Sequence, residues 1–340
     1  MHYIFSFLGE FGYEMFNWQG VIRKWSTHHK KQHDKIIICA RKGLQNVYEF
    51  ADEYIDISNI QSYKKSTAGI YIAVLELGLG YDQDGCTELN RKCVDDIKKD
   101  ITELVCNNLN IEEDSCKWIF SSDPQVLNGL YFGKIGPCAG GIYSRKRTPW
   151  SYLDLNNNLY AKINIENSEK YRNKIESMIN FKLDIPYILC QTGSRNSFLG
   201  TKSKIKIDCK SIIEKISEKY PVILLDFDTG REGDSKSEFD VENVIRYKCN
   251  NFSEQGCLID LAKYCVFFTE GDFRSHLYVP PFLGKDLIII AHSEIYGLHS
   301  APINFWNENV FRFGGQMLPV MYEEIVASDE NLLKFKKWLA

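Results

Sequence analysis

Two short apolar runs in the last third of the chain constrain its fold most strongly. They occupy residues 265–268 and 287–290, and both consist almost entirely of apolar side chains. Such runs are typical of parallel strands that are covered on both faces. Because parallel neighbours need a crossover connection, the segment between the runs is predicted to form a glycine turn and a helix. The sequence therefore predicts an α/β domain with a parallel sheet.

Strand and helix patterns alternate in both halves of the chain. In the first half, strands are predicted at residues 3–8, 35–39 and 53–57, and helices at residues 13–25, 46–51 and 94–104. In the second half, further strands are predicted at residues 186–190 and 221–225, and helices at residues 168–179, 211–220 and 256–263. We expect two domains, residues 1–165 and 166–320. The remaining segment, 321–340, is predicted to carry a helix that packs back on the first domain.

Length and charge narrow the class of protein. A chain of 340 residues with 44% hydrophobic content can bury a large core, but it is too long for a single hydrophobic nucleus. The formal charge of -4 gives no reason to expect a nucleic-acid partner, which would favour a strongly basic face. The eleven cysteines contain no C-x-x-C pair, so we expect buried reduced thiols rather than a zinc site.

The N-terminal sequence and the absence of long apolar runs predict a cytoplasmic location. No stretch approaches the length of a membrane span, and the first residues lack the basic start of a signal peptide. A basic cluster at residues 145–147 precedes Trp150. It can contact an acidic acceptor or the inner face of a membrane, and the alternative is an ordinary solvated loop.

Two polar segments follow predicted strands of the second domain and have the composition of phosphate-binding turns. Backbone N–H groups, hydroxyls and cationic side chains in such turns bind phosphate oxygens. The candidate residues are Gly193, Ser194, Arg195 and Lys202 in one segment, and Glu270, Gly271, Arg274, Ser275 and His276 in the other. Because carboxyl ends of parallel strands meet at one edge, both segments predict one diphosphate site. Each segment alone could be an ordinary turn.

The first domain contributes a candidate general base. Glu10 follows the first predicted strand within a Gly-Glu-Phe-Gly loop, where a carboxylate can take a proton from an acceptor hydroxyl. Glu14, about one helical turn further on, is the competing candidate. The alternative for both is a stabilising placement near a helix N-terminus. Asp226 and Asp228 resemble a metal-binding D-x-D pair, but no third ligand is identifiable, and no metal is predicted.

These landmarks together resemble glycosyltransferases of the GT-B type, and most of all the heptosyltransferase-like and fucosyltransferase-like groups. Gly9 and Glu10 stand where the heptosyltransferase-like group carries a Gly-Asp pair. Residues 191–195 are similar to its Thr-Ser-Arg-like loop. Residues 271–277 and 283–285 are similar to its Gly-x-x-His-Leu element and the Leu-Gly-Lys turn after it.

The resemblance implies two Rossmann-like domains that face a central cleft, the first binding the acceptor and the second the nucleotide-sugar donor. It implies an inverting, metal-independent transfer without a cofactor, with Glu10 as base. Arg195, Lys202, Ser275 and His276 would hold the diphosphate. The expected partners are a nucleotide-diphosphate sugar and a carbohydrate or glycolipid acceptor, in bacterial surface polysaccharide biosynthesis.

Two other functions fit the same sequence features. One alternative is a nucleotide-sugar epimerase. Such an enzyme has a similar two-domain fold but needs acid and base groups on both sides of the sugar. A non-catalytic nucleotide- or carbohydrate-binding protein is the other alternative, because a fold of this kind does not guarantee chemistry.

Overall fold

The computed structural model of the protein describes residues 1–8, 14–63, 88–121, 159–166, 168–192, 207–226, 241–269, 279–294, 303–304, 307–308 and 314–326. The chain divides between Tyr160 and Ala161 into two compact units. Each unit contains its own parallel sheet. The finer domain limits drawn from the sequence stay predictions.

The first unit contains a four-stranded parallel sheet in the order β3-β2-β1-β4. A short π-helical turn, Glu14–Trp18, leads directly into helix α1 (Gln19–His29), and helix α2 (Glu88–Leu109) precedes the last strand. The four strands are β1 (His2–Ser6), β2 (Lys35–Ala40), β3 (Glu53–Asp56) and β4 (Cys116–Phe120).

Helices cover both faces of this first sheet. On one face, Phe5 contacts Trp18 and Trp25, with ring centroids 6.5 and 5.3 Å apart. On the other face, Ile4 belongs to a core cluster with one side of α2. The α2 residues in that cluster recur every three or four positions, which is the spacing of one helical face: Val94, Ile97, Ile101 and Val105. Burial on both faces explains why the central strands are continuous apolar runs.

The second unit contains a six-stranded parallel sheet in the order β7-β6-β5-β8-β9-β10. Its strands are β5 (Ile188–Gln191), β6 (Val222–Asp226), β7 (Val244–Lys248), β8 (Tyr264–Thr269), β9 (Leu287–Ala291) and β10 (Met317–Met321). Its helices are α3 (Ser168–Ile179), α4 (Cys209–Ser217), α5 (Phe252–Leu261), α6 (Val279–Phe282) and α7 (Tyr322–Val326).

The two apolar runs that open the sequence argument are confirmed as neighbouring parallel strands. They form β8 and β9, and the register pairs Phe267 with Ile289. The other strands expected at residues 3–8, 35–39, 53–57, 186–190 and 221–225 are present with shifts of one or two residues at their ends. The predictions for residues 64–87 and 122–158, and for the C-terminal helix beyond residue 326, lie outside the described residues.

Three strands and one helix start are not predicted from the sequence. The strands are β4, β7 and β10, and each of them lies at the edge of its sheet. An edge strand tolerates charged residues and proline, as in Val-Ile-Arg-Tyr-Lys and Met-Leu-Pro-Val-Met, so its apolar pattern is weak. Helix α5 begins at Phe252, after the N-cap Asn251, and its start was not predicted because residues 252–259 are all buried and show no amphipathic boundary. The helix predicted at 46–51 is a 3₁₀ turn, Gln45–Val47.

We predict that Gly315→Ala destabilises the second unit. A Cβ atom at this position would lie 2.7 Å from Pro281 Cα and 2.8 Å from both the backbone N and O of Lys285, none of which can rotate away. Overpacking of this kind costs about 1–3 kcal/mol, to be measured by thermal or urea unfolding. Gln316→Ala is the matched control, because Gln316 binds Leu287 and Asp286 through its backbone. Equal stability of the two variants would contradict this packing.

Candidate functional site

The predicted site residues lie on segments that follow β1, β5 and β8. The structure describes one of them, Glu14. The others lie outside the described residues: Glu10, Gly193, Ser194, Arg195, Lys202, Glu270, Gly271, Arg274, Ser275 and His276. Their roles stay predictions. What the structure defines is the strand end from which each segment starts.

Strands β5 and β8 meet at the point where the order of the second sheet reverses. From β5 the chain continues outward to β6 and β7, and it then returns to β8 and continues in the other direction to β9 and β10. The register places Gln191, at the end of β5, beside Phe267 of β8. Open α/β sheets bind ligands at the carboxyl ends of such strands. Both predicted phosphate-binding segments therefore begin at the expected ligand edge of this sheet.

Buried polar atoms without partners lie at this edge of the sheet. Gln191 and Thr192 are 5% and 9% exposed, and Gln191 Oε1 and Thr192 Oγ1 have no hydrogen-bond partner within the described ranges. In the first turn of α5, which follows β7, both amide atoms of the fully buried Gln255 also lack a partner there. A buried polar group without a partner costs about 1–3 kcal/mol. A polar ligand or ordered water at this edge would remove that cost.

The first unit carries a satisfied polar cluster beyond β1 and β2. Glu14 is fully buried at the start of the π-helical turn. The Tyr48 hydroxyl donates a hydrogen bond to Glu14 Oε1 at 2.8 Å, and Arg41 Nη1 donates to Oε2 at 3.4 Å. Arg41 directly follows β2, and its Nε donates to the Tyr63 hydroxyl at 2.8 Å. The Tyr54 hydroxyl donates to the backbone carbonyl of Arg41.

Burial sets the protonation behaviour of this cluster. It raises the pKa of the Glu14 carboxyl, while the Arg41 guanidinium and the Tyr48 hydroxyl oppose that shift by stabilising the ionised form. Burial also raises the pKa of Tyr48 and of Tyr63. A carboxyl with a raised pKa is a common feature of catalytic sites and also of structural ion-pair networks. Because the Glu14 carboxylate is buried and both oxygens accept hydrogen bonds, this geometry holds Arg41 and Tyr48 in place.

Sequence reasoning missed the partners of Glu14. Arg41, Tyr48 and Tyr63 come from positions 27 to 49 residues further along the chain, and no local motif connects them to Glu14. One signal was available for Arg41. It is the first residue after a buried apolar strand, and Glu10 and Gly193 were likewise selected because they lie just beyond predicted strands. Applying that rule to β2 would have included Arg41 among the candidates.

Neither a metal site nor a membrane span is found in the part of the chain that the structure describes. Within these ranges, no three His, Cys, Asp or Glu side chains are grouped so that they could ligate an ion. No helix in the same ranges has the length and apolar character needed to cross a bilayer. Asp226 ends β6, and Asp228 lies outside the described residues.

Comparisons with known proteins identify the fold. No protein-family model matches the sequence, and a search of curated proteins finds no match. Among solved structures, the glycosyl transferase family 9 protein from Veillonella parvula DSM 2008 is similar with a TM-score of 0.51 and 11% identity, over 99% of this chain and 96% of that chain. The ADP-heptose LPS heptosyltransferase II of E. coli has a TM-score of 0.47 and 10% identity, over 100% and 98% of the two chains.

At 11% identity, the likeness to the family 9 protein shows a shared fold. The prediction of two Rossmann-like parallel-sheet domains, as in GT-B glycosyltransferases, is confirmed by the two sheets and by this likeness.

We predict that Tyr48→Phe destabilises the first unit in a pH-dependent way. The lost hydrogen bond served the ionised Glu14 carboxylate, so its removal raises the Glu14 pKa further. The variant's loss of stability should therefore be smallest at acid pH, where Glu14 is protonated, and should grow to about 1–3 kcal/mol as the pH rises and Glu14 ionises. Unfolding free energies measured as a function of pH test the prediction.

The control for this experiment is the same substitution in a Glu14→Gln background. A neutral amide does not titrate, so the cost of Tyr48→Phe should then be independent of pH. A pH-dependent cost in both backgrounds would show that another group is responsible.

Proposed function

We propose that the protein is a glycosyltransferase that moves a sugar from a nucleotide-diphosphate sugar to a hydroxyl of a carbohydrate or glycolipid acceptor. The observation that carries this proposal is the edge formed by β5 and β8. Two segments with phosphate-binding composition start there from adjacent strands, beside Gln191 Oε1 and Thr192 Oγ1, which are buried and have no partner in the described part of the chain. A diphosphate has enough acceptor oxygens to occupy both segments at once.

The donor is assigned to the second unit by the chemistry of these segments. Arg195 can bind phosphate oxygens with two parallel hydrogen bonds, and Lys202 adds a point charge. Gly271 permits close approach of the backbone, and Ser275 and His276 offer further hydrogen-bond donors. Because cations on the protein can stabilise the leaving diphosphate, we propose that the transfer needs neither a metal nor a cofactor.

The acceptor is assigned to the first unit, with Glu10 as the general base. Glu10 lies in the segment between β1 and Glu14, whose own carboxylate is buried and engaged by Tyr48 and Arg41. In the proposed step, the acceptor oxygen attacks the anomeric carbon while the bond from that carbon to the diphosphate oxygen breaks. The acceptor proton passes to Glu10, and the bonding electrons leave with the diphosphate. Attack opposite the leaving group inverts the anomeric centre.

The biological process we propose is the assembly of a bacterial surface polysaccharide from a donor in the cytoplasm. This rests on the sequence resemblance to heptosyltransferase-like proteins and on the shared fold with a family 9 glycosyl transferase.

Donor binding is tested by thermal shift with UDP-, GDP-, ADP- and CMP-sugars, each with and without EDTA. One nucleotide class should raise the melting temperature irrespective of EDTA, because a ligand at 100 times its Kd adds about 2.7 kcal/mol of stability. Arg195→Ala should abolish the shift. Lys210→Ala is the control, since Lys210 is an exposed residue paired with Glu214 on α4. No shift with any class would contradict the proposal.

The base is tested by comparing Glu10→Gln with Glu14→Gln. Glu10→Gln should lower kcat by about 10²–10⁴-fold while donor binding is unchanged, because a general base contributes that much to proton transfer. Glu14→Gln should act through the position of Arg41 and alter acceptor KM more than kcat. A large kcat loss in Glu14→Gln with full activity in Glu10→Gln would assign the base to Glu14 instead. Donor binding without turnover in the wild type would indicate a binding protein.

A further inference from the structure

A tyrosine and a lysine meet at the amino ends of the strands of the second sheet, opposite the proposed donor edge. Tyr220 lies two residues before β6, and Lys263 directly precedes β8. Strand β5 lies between these two strands, so the backbones at the two positions are two strand spacings, or about 9.6 Å, apart. Both side chains are long enough to meet across this gap, and Lys263 Nζ donates a hydrogen bond to the Tyr220 hydroxyl oxygen at 2.6 Å.

The backbone and the ring contacts hold this pair in place. The Tyr220 side chain is half-buried against a core cluster of the second unit, and its backbone N–H donates to the Ile216 carbonyl at 3.1 Å. The Lys263 backbone N–H donates to the Tyr187 carbonyl at 2.9 Å. Lys263 Nζ lies 4.5 Å from the ring centroid of Tyr220 and 5.6 Å from that of Tyr264. Aromatic rings attract an ammonium ion at these distances, so they keep it beside the phenol oxygen.

The neighbouring ammonium groups favour the ionised form of Tyr220. The hydrogen bond from Lys263 lowers the pKa of the Tyr220 hydroxyl, and the charges of Lys263 and Lys219 lower it further against a smaller opposing effect of desolvation. Lys219 Nζ lies 5.5 Å from the ring centroid of Tyr220. Burial has the opposite effect on Tyr187 and Tyr247, whose pKa it raises. A lowered pKa is one of the ways in which a protein activates a nucleophile.

We propose that Tyr220 is a modification site that takes an acyl group from an activated acyl donor, a compound whose acyl carbon carries a good leaving group. The Tyr220 oxygen attacks the acyl carbon and forms an ester bond. The bond from that carbon to the leaving group breaks, and its electron pair departs with the leaving group. The Tyr220 proton passes to the leaving group or to water. Lys263 is the positioning residue, because its ammonium stabilises the ionised oxygen that attacks.

The test uses N-acetylimidazole as the acyl donor and peptide mass spectrometry as the readout. The rate of Tyr220 acetylation is measured relative to that of Tyr171, a half-buried tyrosine on α3 that serves as the internal standard. Lys263→Met removes the ammonium but keeps an unbranched stem against the rings. It should slow the acetylation of Tyr220 about two- to fivefold, as expected for the loss of an exposed charged partner.

Lys210→Met is the matched control for this substitution. Lys210 is an exposed lysine of α4 that pairs with Glu214, so its replacement should leave the rate ratio of Tyr220 to Tyr171 unchanged. An equal ratio in the wild type and in Lys263→Met would overturn the inference. Acetylation of Lys263 while Tyr220 stays unmodified would also overturn it.

The pH profile of the reaction separates activation of Tyr220 from accessibility to the reagent. The rate rises with pH until the tyrosine is fully ionised and then levels off. Because the Lys263 ammonium stabilises the ionised oxygen, the profile of Tyr220 should level off at a higher pH in Lys263→Met than in the wild type. A substitution that changed only the access of the reagent would lower the rate at every pH and leave the midpoint unmoved, and that result would contradict the proposed role of Lys263.

The outcomes separate this inference from the proposed transferase function, on which it does not rest. In Tyr220→Phe the acetylated peptide should disappear, while the thermal shift with a nucleotide sugar stays as in the wild type, because residue 220 lies at the opposite ends of the strands from the donor edge. If no nucleotide sugar binds but Lys263→Met still slows the acetylation of Tyr220, the transferase proposal is contradicted and this inference stands.

Discussion

The parallel pairing of β5 with β8 is the constraint on which the second unit depends. The two strands are hydrogen-bonded neighbours, yet β6, β7 and α5 lie between them in the sequence. Because the chain continues from β5 toward one side of the sheet and from β8 toward the other, the carboxyl ends of both strands lie at the point where the strand order reverses. The order of all six strands follows from this reversal. The buried polar atoms of Gln191 and Thr192 lie at the same point of the sheet, at the end of β5.

Both units contain satisfied and unsatisfied buried polar groups, since Gln19 Oε1 and Arg23 Nε of the first unit also have no hydrogen-bond partner within the described ranges. In the first unit, Glu14, Tyr48, Arg41 and Tyr63 satisfy one another, so the cluster stabilises a fixed geometry without a ligand. In the second unit, Gln191, Thr192 and Gln255 keep atoms that the described protein groups do not satisfy. A satisfied network rigidifies its surroundings, whereas unsatisfied groups are stabilised only when something binds.

The strands that can be predicted from the sequence are those that are buried on both faces of a sheet. Central strands such as β2, β8 and β9 are covered on both faces, so their sequences are apolar throughout and identify them directly. The edge strands β7 and β10 contain charged residues or proline, and helix α5 is buried throughout residues 252–259, so these elements lack a clear apolar pattern. For the site, a strand end can be read from the sequence. The partner of a residue at that end cannot be read from the sequence, because the fold brings it there, as it brings Glu14 to Arg41.

Polar residues directly follow several of the buried strands. Arg41, Thr192 and His292 each come directly after a buried strand, where the backbone leaves the sheet and the side chain is no longer required to be apolar. A residue of a neighbouring element can then hold the side chain, as Glu14 holds Arg41. Because β5, β8 and β9 are consecutive in the sheet and about 4.8 Å apart, their carboxyl ends lie side by side at one edge of the sheet. The sheet sets the spacing of these groups, and the residues beyond each strand end set their chemistry.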